Sequence, residues 1–295
     1  MSPKDLLLAL VVVLAWGVNF VVIKIGLHGV PPMLLGALRF TLAAVPAVFL
    51  VKRPAVPWRW LLAYGGTISL CQFVFLFSAM SSGMPAGLAS LVLQAQAFFT
   101  LIFAVLFLQE RFRVQNAAGL LIAAVGLAVI GLDGGHTMTL AGFALTLCAA
   151  VSWALGNIVT KKIGAFGRID LVGLVVWGSV IPPLPFFALS YVFEGPQRIG
   201  AALAGISVTS VLAVVYLSFV ATLLGYGLWS RLLSRYPASQ VAPFSLLVPI
   251  VGLASAAWLL DEHLSLMALG GAALVMTGLA VNVFGGWVAQ RFALR

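Results

Sequence analysis

The sequence predicts an all-α, polytopic membrane protein of about ten transmembrane helices, arranged as a 5+5 inverted-topology repeat. Three observations carry that prediction. Of 295 residues, 63% are hydrophobic and only 8% charged, whereas a soluble domain carries about 25% charged residues. Apolar runs long enough to cross a bilayer, about 20 residues each, recur along the whole chain with only short breaks between them. The chain also contains a copy of itself. Residues 85–130 align with 237–282 without a gap, at a constant offset of 152. Eleven of those 46 positions are identical: Pro85/Pro237, Ala86/Ala238, Leu101/Leu253, Ala104/Ala256, Leu108/Leu260, Glu110/Glu262, Gly119/Gly271 and the run Gly126-Leu-Ala-Val against Gly278-Leu-Ala-Val. Apolar segments resemble one another cheaply. A shared acid, a shared proline and glycines at fixed spacing do not arise that way, and tandem halves are the mark of secondary transporters.

The spans follow in order. The first, 5–27, is long and lacks a small-residue cleavage site before a soluble region, so it reads as a retained helix and not as a signal peptide. Gly29-Val-Pro-Pro32 separates it from 32–51, and Lys52-Arg-Pro54 ends that second span. The third, 58–80, stops at Ser81-Ser-Gly-Met-Pro85, and the fourth, 85–108, at Gln109-Glu-Arg111. The fifth, 114–132, ends at Asp133-Gly-Gly-His136 and closes a first half, 1–133. The second half, 138–290, holds 140–162, 169–193, 206–232, 237–260 and 265–288. Its breaks are Gly164 to Asp170, Gly195-Pro196 and Arg235-Tyr-Pro237, with Asp261-Glu-His263 before the last span. Glycine, proline and charge are the expected punctuation.

The net charge of +9 does not indicate a nucleic-acid partner, because the basic residues sit in short loops. With the N-terminus placed in the cytoplasm, thirteen of sixteen fall inside: Lys4, Lys52, Arg53, Arg59, Arg111, Arg113, Lys161, Lys162, Arg168, Arg231, Arg235, Arg291 and Arg295. Lys24 and Arg198 fall outside, and Arg39 lies within the second span. This bias places both termini in the cytoplasm of an inner (plasma) membrane protein. The first helix of each half also repeats: Trp16-Gly-Val-Asn-Phe-Val-Val-Ile-Lys-Ile-Gly26 resembles Trp153-Ala-Leu-Gly-Asn-Ile-Val-Thr-Lys-Lys-Ile-Gly164, with one inserted residue. Five helices per half is an odd number, so the halves face opposite ways. Glu110 then lies inside and Glu262 outside.

These residues resemble the EamA-type exporters of the drug/metabolite transporter superfamily. The resemblance rests on the early Trp and Asn of each half and on two junctions: Phe107-Leu-Gln-Glu-Arg111 with Gly119 and Gly126, and Leu259-Leu-Asp-Glu-His263 with Gly271 and Gly278. His263 stands where that family usually has Arg. Within the superfamily the chain is most similar to the amino-acid (YddG-like) exporters. The resemblance implies a ten-helix basket whose central cavity is lined by the first, third and fourth helices of each half, with the fifth helices peripheral. It also implies export.

Candidate site residues follow from spacing. Trp16 and Asn19 are three apart, Trp153 and Asn157 four apart, so each pair shares a helix face. Two such pairs suggest a cavity between the halves, against the plainer reading of interhelical packing. Gln72 in the third span, Gln94 in the fourth, and Tyr226 and Trp229 in the eighth join the candidate substrate-binding set. Gln94 and Gln96 point to different faces. Ser218 and Thr222 read as helix–helix hydrogen-bonding groups. Pro243 and Pro249 in the ninth span read as functional kinks, because a proline within a span frees a carbonyl and bends the helix.

The charges restrict the chemistry. All seven acids lie at span ends, so no proton relay, metal cluster or catalytic dyad is expected inside the membrane, and no cofactor is implied. Glu110 and Glu262 are expected to help the helix N-termini that follow them. Arg39, the deepest charge, could attract a substrate carboxylate, but on a second helix not expected to be central it reads rather as a snorkelling anchor or a partner of Asp133 or Glu194, and Lys24 as an outer-end anchor. Cys71 and Cys148 read as small buried hydrophobes. The result is a transporter, not an enzyme: a monomer or weak dimer in the lipid bilayer. It moves a small-molecule substrate, a zwitterion such as an amino acid, met by amides and backbone rather than by fixed charges. A sugar, nucleobase or drug-like carrier, a channel and a polytopic lipid-modifying enzyme are the alternatives. A phosphate would need paired cations, and such an enzyme would need acids or histidines clustered at one face.

Overall fold

The computed structural model describes residues 1–110, 114–133, 138–167, 170–236 and 238–293. Arg111, Arg113, His136, Arg168, Pro237 and Arg295, which enter the readings above, lie outside them. The described residues are helical, without strands. They form α1 (Pro3–Gly29), α2 (Pro32–Val48), α3 (Trp58–Ser81), α4 (Ala86–Leu108), α5 (Val114–Leu132), α6 (Leu140–Phe166), α7 (Leu171–Ala204), α8 (Val208–Arg235), α9 (Pro243–Leu260) and α10 (Leu266–Ala293). Eight of these are long and apolar enough to cross a membrane, and α2 and α5 supply shorter apolar helices. Starts follow ordinary capping: Ser2, Thr139 and Ser207 each accept from the N–H three residues on, and Asp170 from Val172. The segment after Gly195 is helical to Ala204. Gly195 turns the chain there at φ +78°, a left-handed value that favours glycine.

The inversion of the halves is visible where α5 packs on α10. A Cβ on Gly119 would sit 2.7 Å from the Gly278 carbonyl, and one on Gly126 2.7 Å from that of Gly271. The pairs run in opposite order along the two helices, which are therefore antiparallel. Under the offset of 152, Gly119 corresponds to Gly271 and Gly126 to Gly278, so one contact maps onto the other. A two-fold relation thus passes between α5 and α10. Small residues are what permit backbones to approach this closely in lipid, where apolar burial alone does not drive association.

The same offset reappears in backbone irregularities. A π-helical stretch occupies Gly65–Cys71 of α3 and another Tyr216–Leu224 of α8. A 3₁₀ turn occupies Leu93–Ala95 of α4, and Ala242–Leu246 leads into α9 in the same way. Pro243 lies in that second 3₁₀ stretch, and Pro249 is buried within the helix Leu247–Leu260. The α4 and α9 turns meet at the crossing of the two helices, where the Gln94 amide donates to the Ser245 carbonyl at 3.4 Å.

Above that crossing α4 and α9 are in contact. A Cβ on Gly87 would lie 3.2 Å from both Leu253 and Ala256. The Glu262 carboxylate accepts from the Ala86 N–H at 2.8 Å and the Gly87 N–H at 2.9 Å. Glu262 therefore caps α4, not the α10 helix that follows it. Below the crossing, among the described residues, the C-terminal half of α4 packs on α6 instead. Glu110 there pairs with Lys161 of α6, not with α5. Glu194 also caps at a distance, accepting from Met33 and Leu34 at the start of α2 at 2.6 and 3.0 Å. Helix N-termini carry orphan N–H groups and the positive end of the helix dipole, so a carboxylate from a neighbouring element serves as well as one in sequence. Lys24 holds the C-terminal end of α3 through the Met80 carbonyl at 3.2 Å. Cys71 and Cys148 are exposed on the helix surfaces and are not core residues.

The α5–α10 packing predicts a stability effect. Gly278→Leu would force a Cβ to 2.5 Å from the Gly119 carbonyl and should cost about 2 kcal/mol or more. Thermal unfolding in detergent should fall clearly for this variant. Gly270→Leu, whose Cβ would meet nothing within 4 Å, should unfold with the parent protein.

Candidate functional site

Two polar and aromatic groups lie within the bundle, one in each half's first helix. On α1, the Trp16 indole N–H donates to the Ala221 carbonyl of α8 at 3.0 Å. That carbonyl lies in the π-helical stretch of α8, where the backbone departs from regular α-helical bonding. The Trp16 ring packs on Tyr226 and Trp229, at 5.1 and 5.3 Å between centroids. Gly225 makes room for it, since a Cβ there would fall 2.5 Å from the indole nitrogen. Tyr216 returns a bond from α8 to the Ala15 carbonyl at 2.9 Å. Trp16, Tyr226 and Trp229 thus form one aromatic wall between α1 and α8. Asn19, three residues along α1, is buried, and its side-chain oxygen has no partner.

The second group centres on α6. Asn157 donates to the Gln96 side-chain oxygen at 2.8 Å and to the Thr100 hydroxyl at 3.0 Å, both on α4. Trp153 packs between the main core and a smaller cluster around Val56, Leu61, Tyr64 and Ile68. The two Trp/Asn pairs are therefore differently engaged: the amide of Asn157 is committed to α4, while Asn19 keeps a free acceptor. Gln72 is buried on α3, and its oxygen is also unpartnered. Gln94 sits at the α4–α9 crossing.

Arg39 departs most from expectation. It is 2% exposed, so it does not snorkel to an interface. It meets neither Asp133, which accepts from Ser265 at 2.7 Å, nor Glu194, which is held by Met33, Leu34 and Ser190. Its Nη2 donates to Thr222 of α8 at 3.2 Å, and its guanidinium lies 4.1 Å from the centroid of Phe73 on α3. Nε and Nη1 have no partner. Sequence reasoning favours an anchoring role for Arg39 over a substrate contact, because the second helix is not expected to be central. It passed over Gln96 and Thr100 because only the burial of α4 separates Gln96 from Gln94. The lone charge in mid-span was the available signal for Arg39.

The chain matches the EamA-like transporter family over residues 4–132 and 140–284. It is 55% identical to a protein of Salmonella typhimurium named a probable amino-acid metabolite efflux pump, covering 97% of this chain and 96% of that one. A protein of the same name from Escherichia coli is 53% identical over the same shares. A probable terminal-alkyne amino-acid exporter of Streptantibioticus cattleyicolor is 27% identical, over 92% of this chain and 90% of that one. A solved crystal structure covers 99% of each chain with a TM-score of 0.65 at 21% identity, a likeness of fold.

The unequal bonding of the two asparagines predicts unequal mutants. Asn157→Ala removes two interhelical bonds and should lower the unfolding temperature, by an amount equivalent to about 0.6–2 kcal/mol. Asn19→Ala, which breaks no bond made by its oxygen, should unfold with the parent protein yet transport several-fold more slowly in proteoliposomes.

Proposed function

This chain belongs to the EamA-like transporter family, and we propose that it exports small amino-acid metabolites across the inner (plasma) membrane by alternating access. The relatives' names support the substrate class. The basic residues crowd the loops between alternate spans, which supports cytoplasmic termini. The five-helix repeats 1–133 and 138–290 act as the two moving bodies of a monomer or weak dimer, and the substrate passes between them. Trp16, Tyr226 and Trp229 cover an apolar side chain. Asn19 and Gln72 offer unpartnered acceptors for an ammonium group, while Gln94, Trp153 and Asn157 line the path near the α4–α9 crossing.

One observation carries the mechanism: equivalent acids in the two repeats are in different states. Glu262 holds the N-terminus of α4 and closes the outer ends of α4 and α9. Its counterpart Glu110 is engaged with Lys161. Both acids are presented identically. Gln109 and Asp261 turn at φ 56° and 54°, and the N–H groups of Glu110 and Glu262 bond back to the Ala104 and Ala256 carbonyls, both at 3.3 Å. The residues that complete the outer closure are Ala86, Gly87, Leu253 and Ala256. Their counterparts are Ala238, Ser239, Leu101 and Ala104, and three of the four pairs are identical. In the opposite state Glu110 leaves Lys161 and takes the N–H groups of Ala238 and Ser239, closing the inner side while Glu262 lets go. The 3₁₀ turns at Leu93–Ala95 and around Pro243 are the points about which the arms move, with Pro249 one turn further along. No acid sits in mid-membrane, so transport runs down the substrate gradient without an intramembrane carboxylate relay.

The test uses a single cysteine at Ser90, which is buried against Gly252 on the outer side, with Cys71 and Cys148 replaced by Ser. An impermeant maleimide added outside should label it slowly in the parent background and at least five-fold faster after Glu262→Ala. Glu110→Ala should slow labelling, and both acid variants should transport poorly. Equal labelling in all three backgrounds would falsify the alternating caps. Counterflow in proteoliposomes across the twenty amino acids tests the substrate class, with saturable transport and no imposed pH gradient as the expected result.

A further inference from the structure

Arg39 is a cation in the interior of a membrane protein with no acid beside it. It is the eighth residue of α2, so it lies about 10 Å along the helix from the outer end. All seven acids are engaged elsewhere. Glu262 and Glu194 cap α4 and α2. Asp5 bonds Ser2 and Tyr236, and Asp133 bonds Ser265. Asp170 caps its own helix, Asp261 pairs with His263, and Glu110 pairs with Lys161. An uncompensated guanidinium in this medium is costly, and intramembrane charges are retained where they meet a charge or line a pathway.

The side chain reaches inward. Ser218 of α8 donates to the Arg39 carbonyl at 2.9 Å and fixes the backbone. The guanidinium passes between Phe73 of α3 and Thr222 of α8. Thr222 is one helical turn before Tyr226, whose ring packs on Trp16, so Arg39 adjoins the aromatic wall. Nη2 is spent on Thr222. Nε and Nη1, on opposite sides of the guanidinium, are unpartnered, and each keeps a charged N–H that a carboxylate oxygen can accept in a charge-assisted hydrogen bond.

We propose that Arg39 receives the carboxylate of the exported substrate on one of its unpartnered donors, Nε or Nη1. This rests on the amino-acid reading above and changes one part of it: the carboxylate meets a fixed charge, while the unpartnered oxygens of Asn19 and Gln72 remain for the ammonium. The exchange is balanced electrostatically. A neutral zwitterion brings an anion to a cation that lacks one, and its own cation to two acceptors.

The probes are the amino acid that the parent protein transports best among the twenty, its carboxamide and its decarboxylated amine. In proteoliposomes the parent protein should move the acid at least ten-fold faster than either analogue. Arg39→Gln should lose ten-fold or more with the acid and little with the carboxamide, so that the preference collapses. Arg39→Lys keeps the charge but not the planar guanidinium set against Phe73 and Thr222, and should raise KM for the acid at least five-fold while leaving the carboxamide unchanged. A residue that only packs would shift both probes together. If Arg39→Gln does not stay monodisperse, the parent protein and Arg39→Lys decide. The proposal is overturned if the parent protein moves acid and carboxamide equally, or if Arg39→Lys leaves the two KM values unchanged or moves them together. It is also overturned if folded Arg39→Gln keeps the preference for the acid. Failure of the amino-acid reading itself looks different, because the parent protein would then move none of the twenty.

Discussion

The first N–H groups of a helix have no partner in their own helix and must find one elsewhere. In α4 that need is met by a carboxylate from the far repeat: Glu262 takes the N–H groups of Ala86 and Gly87. Much else depends on this bond. It draws the N-terminal arm of α4 onto α9, so that Gly87 meets Leu253 and Ala256. It also sets the height at which the two helices cross, at Gln94 and Ser245. Gly17 of α1 lies against Val251 on the same helix, so the wall that carries Trp16 is positioned from there.

The repeat identities gain a physical meaning from that contact. Ala86, Leu253, Ala256 and Glu262 meet in one place, and each has an identical counterpart in the other half. A structural role on one side alone would leave the counterparts free to diverge. Gly119, Gly126, Gly271 and Gly278 are identical for a different reason: all four meet at the α5–α10 crossing, where any side chain would hold the backbones apart.

The polar interior divides into groups that are spent and groups that are not. Asn157, Gln96 and Thr100 satisfy one another and join α6 to the C-terminal arm of α4. Ser218 bonds the backbone of α2. What remains among the described residues is Nε and Nη1 of Arg39, the side-chain oxygens of Asn19 and Gln72, the Thr41 hydroxyl and the Trp60 indole N–H. Buried polar groups without partners are uncommon and expensive. Where they are complementary in kind, a donor pair against two acceptors, a ligand bearing both charges satisfies them together.

The membrane class, the count of about ten helices and the inversion of the halves were all legible in the sequence. They rest on quantities that are additive along the chain: apolar length, loop charge and a repeat of constant offset. Helical periodicity put Tyr226 and Trp229 on one stripe, but that they pack on Trp16 is visible only in the structure. What the sequence could not decide was which element each polar group addresses. Glu262 stands before α10 and caps α4. Glu110 has the same neighbours and pairs with Lys161. Arg39, read as an anchor of the outer interface, turns inward between Phe73 and Thr222. Cys71 and Cys148, alike in sequence to any core residue, lie on the surface. Hydropathy records how much of a helix prefers lipid, but not which way it is rotated or what it faces. Those depend on contacts between residues far apart in the chain, and only the packed tertiary structure specifies them.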